Sequence, residues 1–414
     1  MGGVARGGRA PADGGGRLLY LHRYLREAVD ASAGKLPSEL MNFLNMEAAP
    51  PPPKPAPENE MRRKMREIAT QLGGFKGVAN TGPPKGEREN KFTVDAKSLR
   101  FGKPVENALG VEGYAEIALY ISISRRGSHS VSARCTYDGG RFLAIRYMCV
   151  EKNHVMAGMI EGIPAIEREY AAYGTDEDKE CLDYVLHKAA GESDARFQGG
   201  LLRDRGPNGE VLPERTVDDG TGRRRGMRLA DFVAHPNCQI SHLTPAHVAA
   251  LRLYSTAAYQ SINNPLRDKE RFERHEPHRL PVTVAFLADA VKLLRAVDAE
   301  AETRNDTIEL YRGMRDVSVP RDFMANGGTE LAPMSTTFNL AVAMQYSAST
   351  SAVLLRLRTD NFLMRGADIT FLSAFPGERE CLFPPLTYLA PTEETEVITI
   401  DDATFHIVDV RPQM

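Results

Sequence analysis

No stretch of roughly 18 apolar residues occurs in this chain, so no segment has the length and character of a bilayer-spanning helix. There is no C-x-x-C pair either. The five cysteines, Cys135, Cys149, Cys181, Cys238 and Cys381, are odd in number and widely spaced, which argues against a disulfide framework and suits reduced thiols. A surplus of one charge sign is also missing. The formal net charge is -3, so nothing global points to a polyanionic partner. Two local basic runs, "MRRKMRE" at 61–67 and "GRRRGMR" at 222–228, sit in polar or glycine-flanked surroundings and read as solvated faces or loops. The start, "MGGVARGGRAPADGGG", has no apolar signal-peptide core, and Arg6 stands where a myristoylation pattern wants Ser or Thr. The end, "FHIVDVRPQM", lacks the hydrophobic tail of a lipid-anchor signal. These absences predict a soluble, cytoplasmic protein with neither a nucleic-acid nor a membrane partner.

What is present suffices for a sizeable core: 414 residues at 42% hydrophobic and 26% charged content allow two or three domains. Residues 1–90 are rich in Gly, Pro and charge, and "AAPPPPKPAPENE" at 48–60 favours extended polyproline backbone. We read 1–90 as a low-complexity, disordered tail or linker, with short helices at 17–30 and 58–71; the proline run suits a spacer or a ligand for an aromatic-groove adaptor. Residues 91–235 form an accessory α/β region without a chemical constellation. In it "YAEIALYISIS" and "RFLAIRYMCV" predict strands, "REYAAYGTDEDKECLDYVLHKAA" a helix, and "LLRDRGPNGEVLPERTV" a hairpin.

Two helices follow. Thr244 as N-cap and Pro245 in the first turn open one, whose stripe is Val248, Leu251, Tyr254, Ala258 and Ile262. The other begins at Pro281 and stripes through Phe286, Leu287, Ala290, Leu293, Leu294 and Val297. Both are core patterns. From 308 onward strands dominate, interrupted by one helix in "NLAVAMQYSAS" at 339–349. Helices first and then a run of strands predicts an α+β fold.

Several clusters carry little chemistry. His235, Cys238, His242 and His247 have the residue types of a zinc site but match no recognised ligand spacing, so capping and surface roles fit better and no metal is expected. His275 and His278 lie in "RHEPHR", which reads as a solvated charged loop. The glycine clusters "YDGGR" and "ANGGTE" lack the lysine and strand-to-helix context of a phosphate loop, and no G-x-S-x-G is present.

Three elements near the end belong together: "LYRGM" at 310–314, "MSTTFNLAVAMQY" at 334–346 and "FPGEREC" at 375–381, which runs on into "LFPPLTYL". A guanidinium at a strand end is a fork for phosphate oxygens. A strand-end hydroxyl can hold a ribose hydroxyl. Paired carboxylates can stabilise an oxocarbenium-like centre and position a nucleophile. If Glu378, Arg379 and Glu380 are extended, the two acids share one face with Arg379 opposite. Each element alone is equally an exposed arginine, an ordinary hydroxyl turn or a solvated acid pair.

In this order, with these flanks, the three elements resemble the R-S-E group of arginine-specific mono-ADP-ribosyltransferases, over residues 240–414. The resemblance implies an ADP-ribosyltransferase-like core of two packed, mostly antiparallel sheets preceded by helices. It implies that Arg312 binds the pyrophosphate of NAD and that the Gly313 backbone meets the nicotinamide amide. Ser335 would hold the nicotinamide ribose and orient the catalytic acid. Thr336 and Thr337 complete that hydroxyl motif, Thr337 standing where many relatives have serine. Tyr346 would lie against the nicotinamide. Glu380 would bind the ribose 2′-hydroxyl and stabilise the cation, and Glu378 would receive the acceptor. Relatives that modify asparagine carry glutamine at that point, so Glu378 implies a cationic arginine on an acceptor protein, with NAD, or alternatively NADP, as donor. Two other readings stay open: an NAD glycohydrolase with water as acceptor, and a silent fold used as a scaffold.

Overall fold

The computed structural model describes residues 60–78, 148–192, 201, 217–218, 224–298, 307–319, 321–360 and 364–413. The expected helix at 17–30, the strand at 114–124, most of that at 141–150 and most of the hairpin at 201–217 lie outside them. The chain divides after Lys64 into two compact units. Of the first, only 60–64 are described, the opening turn of helix α1 (Glu60–Gln71).

In the second unit, the regular elements described between 148 and 235 are helices: α2 (Lys152–Glu161), α3 (Ile163–Tyr173), α4 (Asp176–His187) and α5 (Leu229–Val233). The helix expected over 168–190 is broken in two. Gly174 carries an extended backbone, and Thr175 then caps α4 in a reciprocal box with Asp178, each side chain accepting the other's N–H at 3.1 and 2.9 Å. After α6 (Pro236–Ile240), helix α7 (Pro245–Tyr254) starts where Thr244 and Pro245 predict. Its stripe does not run on to Ile262. It stops at Tyr254, and Ala258 and Ile262 belong to the entry and body of α8 (Tyr259–Arg267). A short α9 (Lys269–Glu273) leads to α10 (Pro281–Asp298), the expected second helix. Glu169 of α3 accepts the Val282 and Thr283 N–H groups at 2.6 and 2.9 Å, so the orphan donors of the α10 N-terminus are satisfied from another helix.

The remainder is mostly strand, in the α+β order that the sequence predicts. The strands are β1 (Ile308–Met314), β2 (Gly328–Glu330), β3 (Met334–Thr337), β4 (Ala352–Thr359), β5 (Ala367–Asp368), β6 (Glu380–Phe383), β7 (Thr387–Ile400) and β8 (Ala403–Gln413). Two helices interrupt them, α11 (Arg321–Asn326) and α12 (Leu340–Ser347), the latter capped by Asn339. The order is β2-β7-β8-β4-β1-β3-β6-β5, antiparallel except where β4 pairs with β8. The two expected sheets are recognisable as β2-β7-β8-β4-β1 and β3-β6-β5. They are joined into one ladder by the single pair Tyr311↔Thr337 between β1 and β3.

Two cores flank this ladder. Along β6, Leu382 packs into the helical core with Ile369, Leu372 and Phe375, while Cys381 and Phe383 face a second core with Leu310, Val353, Leu355 and Val408. The helical core runs without a break from Ile166, Tyr170 and Tyr184 to Leu251, Phe286 and Leu294, across residues 235–240. Among the described residues no helix is long and apolar enough to cross a membrane.

Candidate active site

The seam between β1 and β3 gathers the three sequence elements. Arg312 lies on β1 and donates through Nη1 to the Ser335 carbonyl on β3 at 2.9 Å. Its side chain is 15% exposed, and its second face meets Glu330 of β2, Nη2 to Oε2, at 3.6 Å. Glu330 also takes a bidentate pair from Arg267 of α8, at 2.9 and 3.2 Å, and the Ala332 N–H at 3.1 Å. One carboxylate is thus shared by two guanidiniums, leaving a net positive charge in a nearly dry setting. Burial alone would raise the Glu330 carboxyl, but Arg267 and Arg312 outweigh it and hold the group below the usual carboxylate range. Burial, reinforced by the neighbouring Arg267, pushes the Arg312 guanidinium down against the pull of Glu330. A concentrated positive centre of this kind is fitted to an anionic phosphate ligand.

Gly313, next along β1, is required by packing. A Cβ there would lie 2.1 Å from the Ala343 carbonyl oxygen and 2.9 Å from the Ser347 Cβ, so only glycine lets α12 cross the strand this closely. Helix α12 carries Tyr346 toward the acids. The Tyr346 hydroxyl donates a hydrogen bond to Glu378 Oε1.

The hydroxyl motif is held from several sides. Tyr254 of α7 and Asn263 of α8 donate to the Pro333 carbonyl at 2.9 and 3.4 Å, which fixes the entry into β3. Ser335 is half-buried opposite Leu382. Thr336 Oγ1 donates to the Cys381 carbonyl at 2.7 Å, and Thr337 Oγ1 donates to the Glu378 carbonyl at 2.6 Å while accepting the Asn339 N–H at 2.9 Å. The threonine at 337 therefore makes the hydroxyl contacts that tie the second motif to the third.

The acids differ from the extended expectation. Only Glu380 belongs to a strand, opposite Thr337 at the start of β6; Glu378 ends a 3-10 turn, Pro376–Glu378. Between them Arg379 is left-handed, with φ 49 and ψ 58, so strand alternation does not relate the two carboxylates. The Pro-Gly bend and the Phe338 N–H to Arg379 carbonyl bond, 3.2 Å, impose this turn. Arg379 is exposed, with its guanidinium 5.7 Å over the Phe338 ring. Glu380 is 4% exposed. Burial and then the nearby Glu380 carboxylate raise the Tyr254 phenol above its ordinary range.

A family profile described as NAD:arginine ADP-ribosyltransferase matches residues 235–401. This segment is an ADP-ribosyltransferase domain. The family's donor is NAD. The search of curated proteins gave no match. Among solved structures, HopU1, an ADP-ribosyltransferase of Pseudomonas syringae pv. Tomato DC3000, is similar at 18% identity over 57% of this chain and 98% of its own, with a TM-score of 0.34. The toxin Plx2a of Paenibacillus larvae is similar at 16% identity over 42% and 89%, TM-score 0.33. The type III effector XopAI of Xanthomonas axonopodis pv. citri is similar at 14% over 57% and 87%, TM-score 0.32.

In the ADP-ribosyltransferase domain, Glu330, Arg267 and Asn263 join the site without having been singled out by sequence, and Tyr254, expected only as a core stripe position, joins it as well. An acid inside the apolar "TELAPM" run was the one available signal for Glu330. The other clusters take structural roles. His247 completes the α7 cap with Thr244 and faces Asp289 at 3.3 Å, and His235 stacks on Phe371. His278 is not solvated as expected. It is 2% exposed, with Nε2 donating to the Ile262 carbonyl and Nδ1 accepting the Leu280 N–H, both at 3.0 Å.

Proposed function

We propose that this protein transfers ADP-ribose from NAD to an arginine side chain of an acceptor protein, releasing nicotinamide. The observation that carries the reading is the pairing of a buried strand carboxylate, Glu380, with a turn carboxylate, Glu378, beside the Arg312–Ser335 seam. Arg312 holds the pyrophosphate, with Arg267 and Glu330 fixing its fork. The backbone at Gly313 receives the nicotinamide amide, and Ser335, Thr336 and Thr337 build the ribose side of the site. The bond from ribose C1′ to nicotinamide nitrogen breaks with its electron pair leaving on nicotinamide, and Glu380 stabilises the oxocarbenium cation and binds the 2′-hydroxyl. Tyr346 packs against the departing ring. A guanidinium nitrogen of the acceptor then attacks C1′ as Glu378 orients the group and takes its proton.

The test uses NAD labelled in its ADP-ribose part with a small guanidino acceptor, comparing wild type with Glu380→Ala and Glu378→Gln. Glu380→Ala is expected to lose both nicotinamide release and transfer. Glu378→Gln is expected to lose transfer and keep release. A wild type that releases nicotinamide but labels no guanidino group would assign water as the acceptor, and no release at all would leave the scaffold reading. The same assay with NADP decides donor preference.

A further inference from the structure

A buried charge cluster outside the catalytic contacts surrounds the loop that leads into the acids. Asp218, 1% exposed, takes a bidentate pair from Arg252 of α7 at 3.1 and 2.8 Å, a hydrogen bond from the Tyr184 hydroxyl, and an ion pair with Arg224 at 3.7 Å. The Arg252 guanidinium lies 3.8 Å from the centre of the Phe232 ring. Further donors of the cluster go to four carbonyls of one segment, 370–374. Arg224 donates to those of Thr370 and Ser373, Arg252 to that of Leu372 at 2.8 Å, and the Asp218 N–H to that of Ala374 at 2.6 Å. The Ala374 N–H in turn donates to Ser255 Oγ at 2.8 Å.

Leu372, Ser373, Ala374 and Phe375 are all fully buried, yet 370–375 belongs to no strand or helix. Its backbone groups need partners, and without a ladder they come from local turn bonds to the Ile369 carbonyl and from the residues of this cluster. One segment further on come Glu378 and Glu380. Arg224 and Asp218 lie outside residues 235–401, in the region that the sequence leaves without a role.

We propose that Asp218, Arg224 and Arg252 form a positioning brace that sets the 370–375 loop and, through it, the two acids. Residues before 235 are then part of the catalytic unit. The inference rests on the reading of Glu378 and Glu380 above. Arg224 is the informative residue, because at 13% side-chain exposure it is less deeply set than Arg252 and it has no part in the donor or acceptor contacts proposed above. The nucleotide grip at Arg312 and Ser335 lies on other strands, so loss of the brace should misplace the acids while leaving donor binding in place.

The experiment uses the full chain as wild type, Arg224→Ala, Arg224→Lys and Ser255→Ala, reading steady-state nicotinamide release and hydrogen exchange over 369–381. Arg224→Ala is expected to lower kcat by ~10- to 100-fold, the scale of a displaced catalytic group, with KM for NAD within about threefold of wild type. Exchange over 369–381 should rise by roughly tenfold, as for one lost charge-assisted hydrogen bond, without a matching rise in α10. Arg224→Lys restores part of kcat, since a point charge reaches one carbonyl but does not span two. Ser255→Ala gives the same pattern at smaller size and carries the test if Arg224→Ala does not fold. Wild-type kcat and wild-type exchange in folded Arg224→Ala and Ser255→Ala would overturn the brace alone. A wild type that turns over no NAD overturns the functional reading and, with it, the brace's catalytic purpose, whatever the exchange data.

Discussion

The Tyr346 hydroxyl donates to the Glu378 carboxylate, joining the helix that follows the serine–threonine motif to the turn that precedes β6. The bond couples the nicotinamide side of the proposed site to its acceptor side. Tyr346→Phe keeps the ring and removes that donor. We expect transfer to a guanidino acceptor to fall by about tenfold, while nicotinamide release without acceptor stays within about twofold. Equal loss in both assays would place the hydroxyl's role at Glu380 instead.

Glu330 between Arg267 and Arg312 is a buried ion triad in which the acid is indispensable. Glu330→Gln leaves two guanidiniums facing each other with little solvent, which should destabilise the fold by about 3 kcal/mol. Urea denaturation at neutral pH measures it. The effect should shrink in Glu330→Gln/Arg267→Ala, where one of the repelling charges is gone.

Gly313→Ala places a methyl carbon 2.1 Å from a helix carbonyl oxygen, a contact that backbone must move to relieve. A stability loss of about 1–3 kcal/mol is expected from overpacking, together with reduced transfer, because the displaced helix carries Tyr346. A variant of wild-type stability and activity would show that α12 can retreat from β1 freely.

His278 has a predictable pH signature. Burial, aided by nearby Arg271, lowers its pKa to about 4 against the ordinary 6.5, and its two hydrogen bonds fit the neutral ring. The unfolded chain therefore binds the proton first, so this residue's stabilising contribution is full above pH 6.5 and is lost as pH falls toward 4. The span corresponds to about 3 kcal/mol. His278→Gln should be less stable than wild type at pH 8, with the gap closing by pH 4.5 in denaturant titrations. A gap independent of pH would refute the assignment.

Local chemistry made much of the protein legible from sequence. Thr244 with Pro245 and Asn339 before an apolar run mark helix starts because capping is satisfied within a few residues. The order of "LYRG", "STT" and "ERE" signalled the site because each motif is contiguous. Strand alternation failed at Glu378 because a Pro-Gly turn and a left-handed Arg379 intervene, and those respond to the Phe338 and Thr337 partners across the ladder. His278 and Arg224 looked solvated because charge-rich neighbours dominate their windows, while their actual partners are distant.

By itself the sequence determined the helix-then-strand order, the Thr244 cap and the identity of the polar groups available to the site. Tertiary structure alone decided that Arg267 and Arg312 share Glu330, that Tyr346 reaches Glu378, and that Arg224 and Asp218 hold the loop before the acids. The physical reason is range. Periodicity and capping are settled between residues a few positions apart, whereas the choice of which buried charge neutralises which is made only when distant segments are desolvated together.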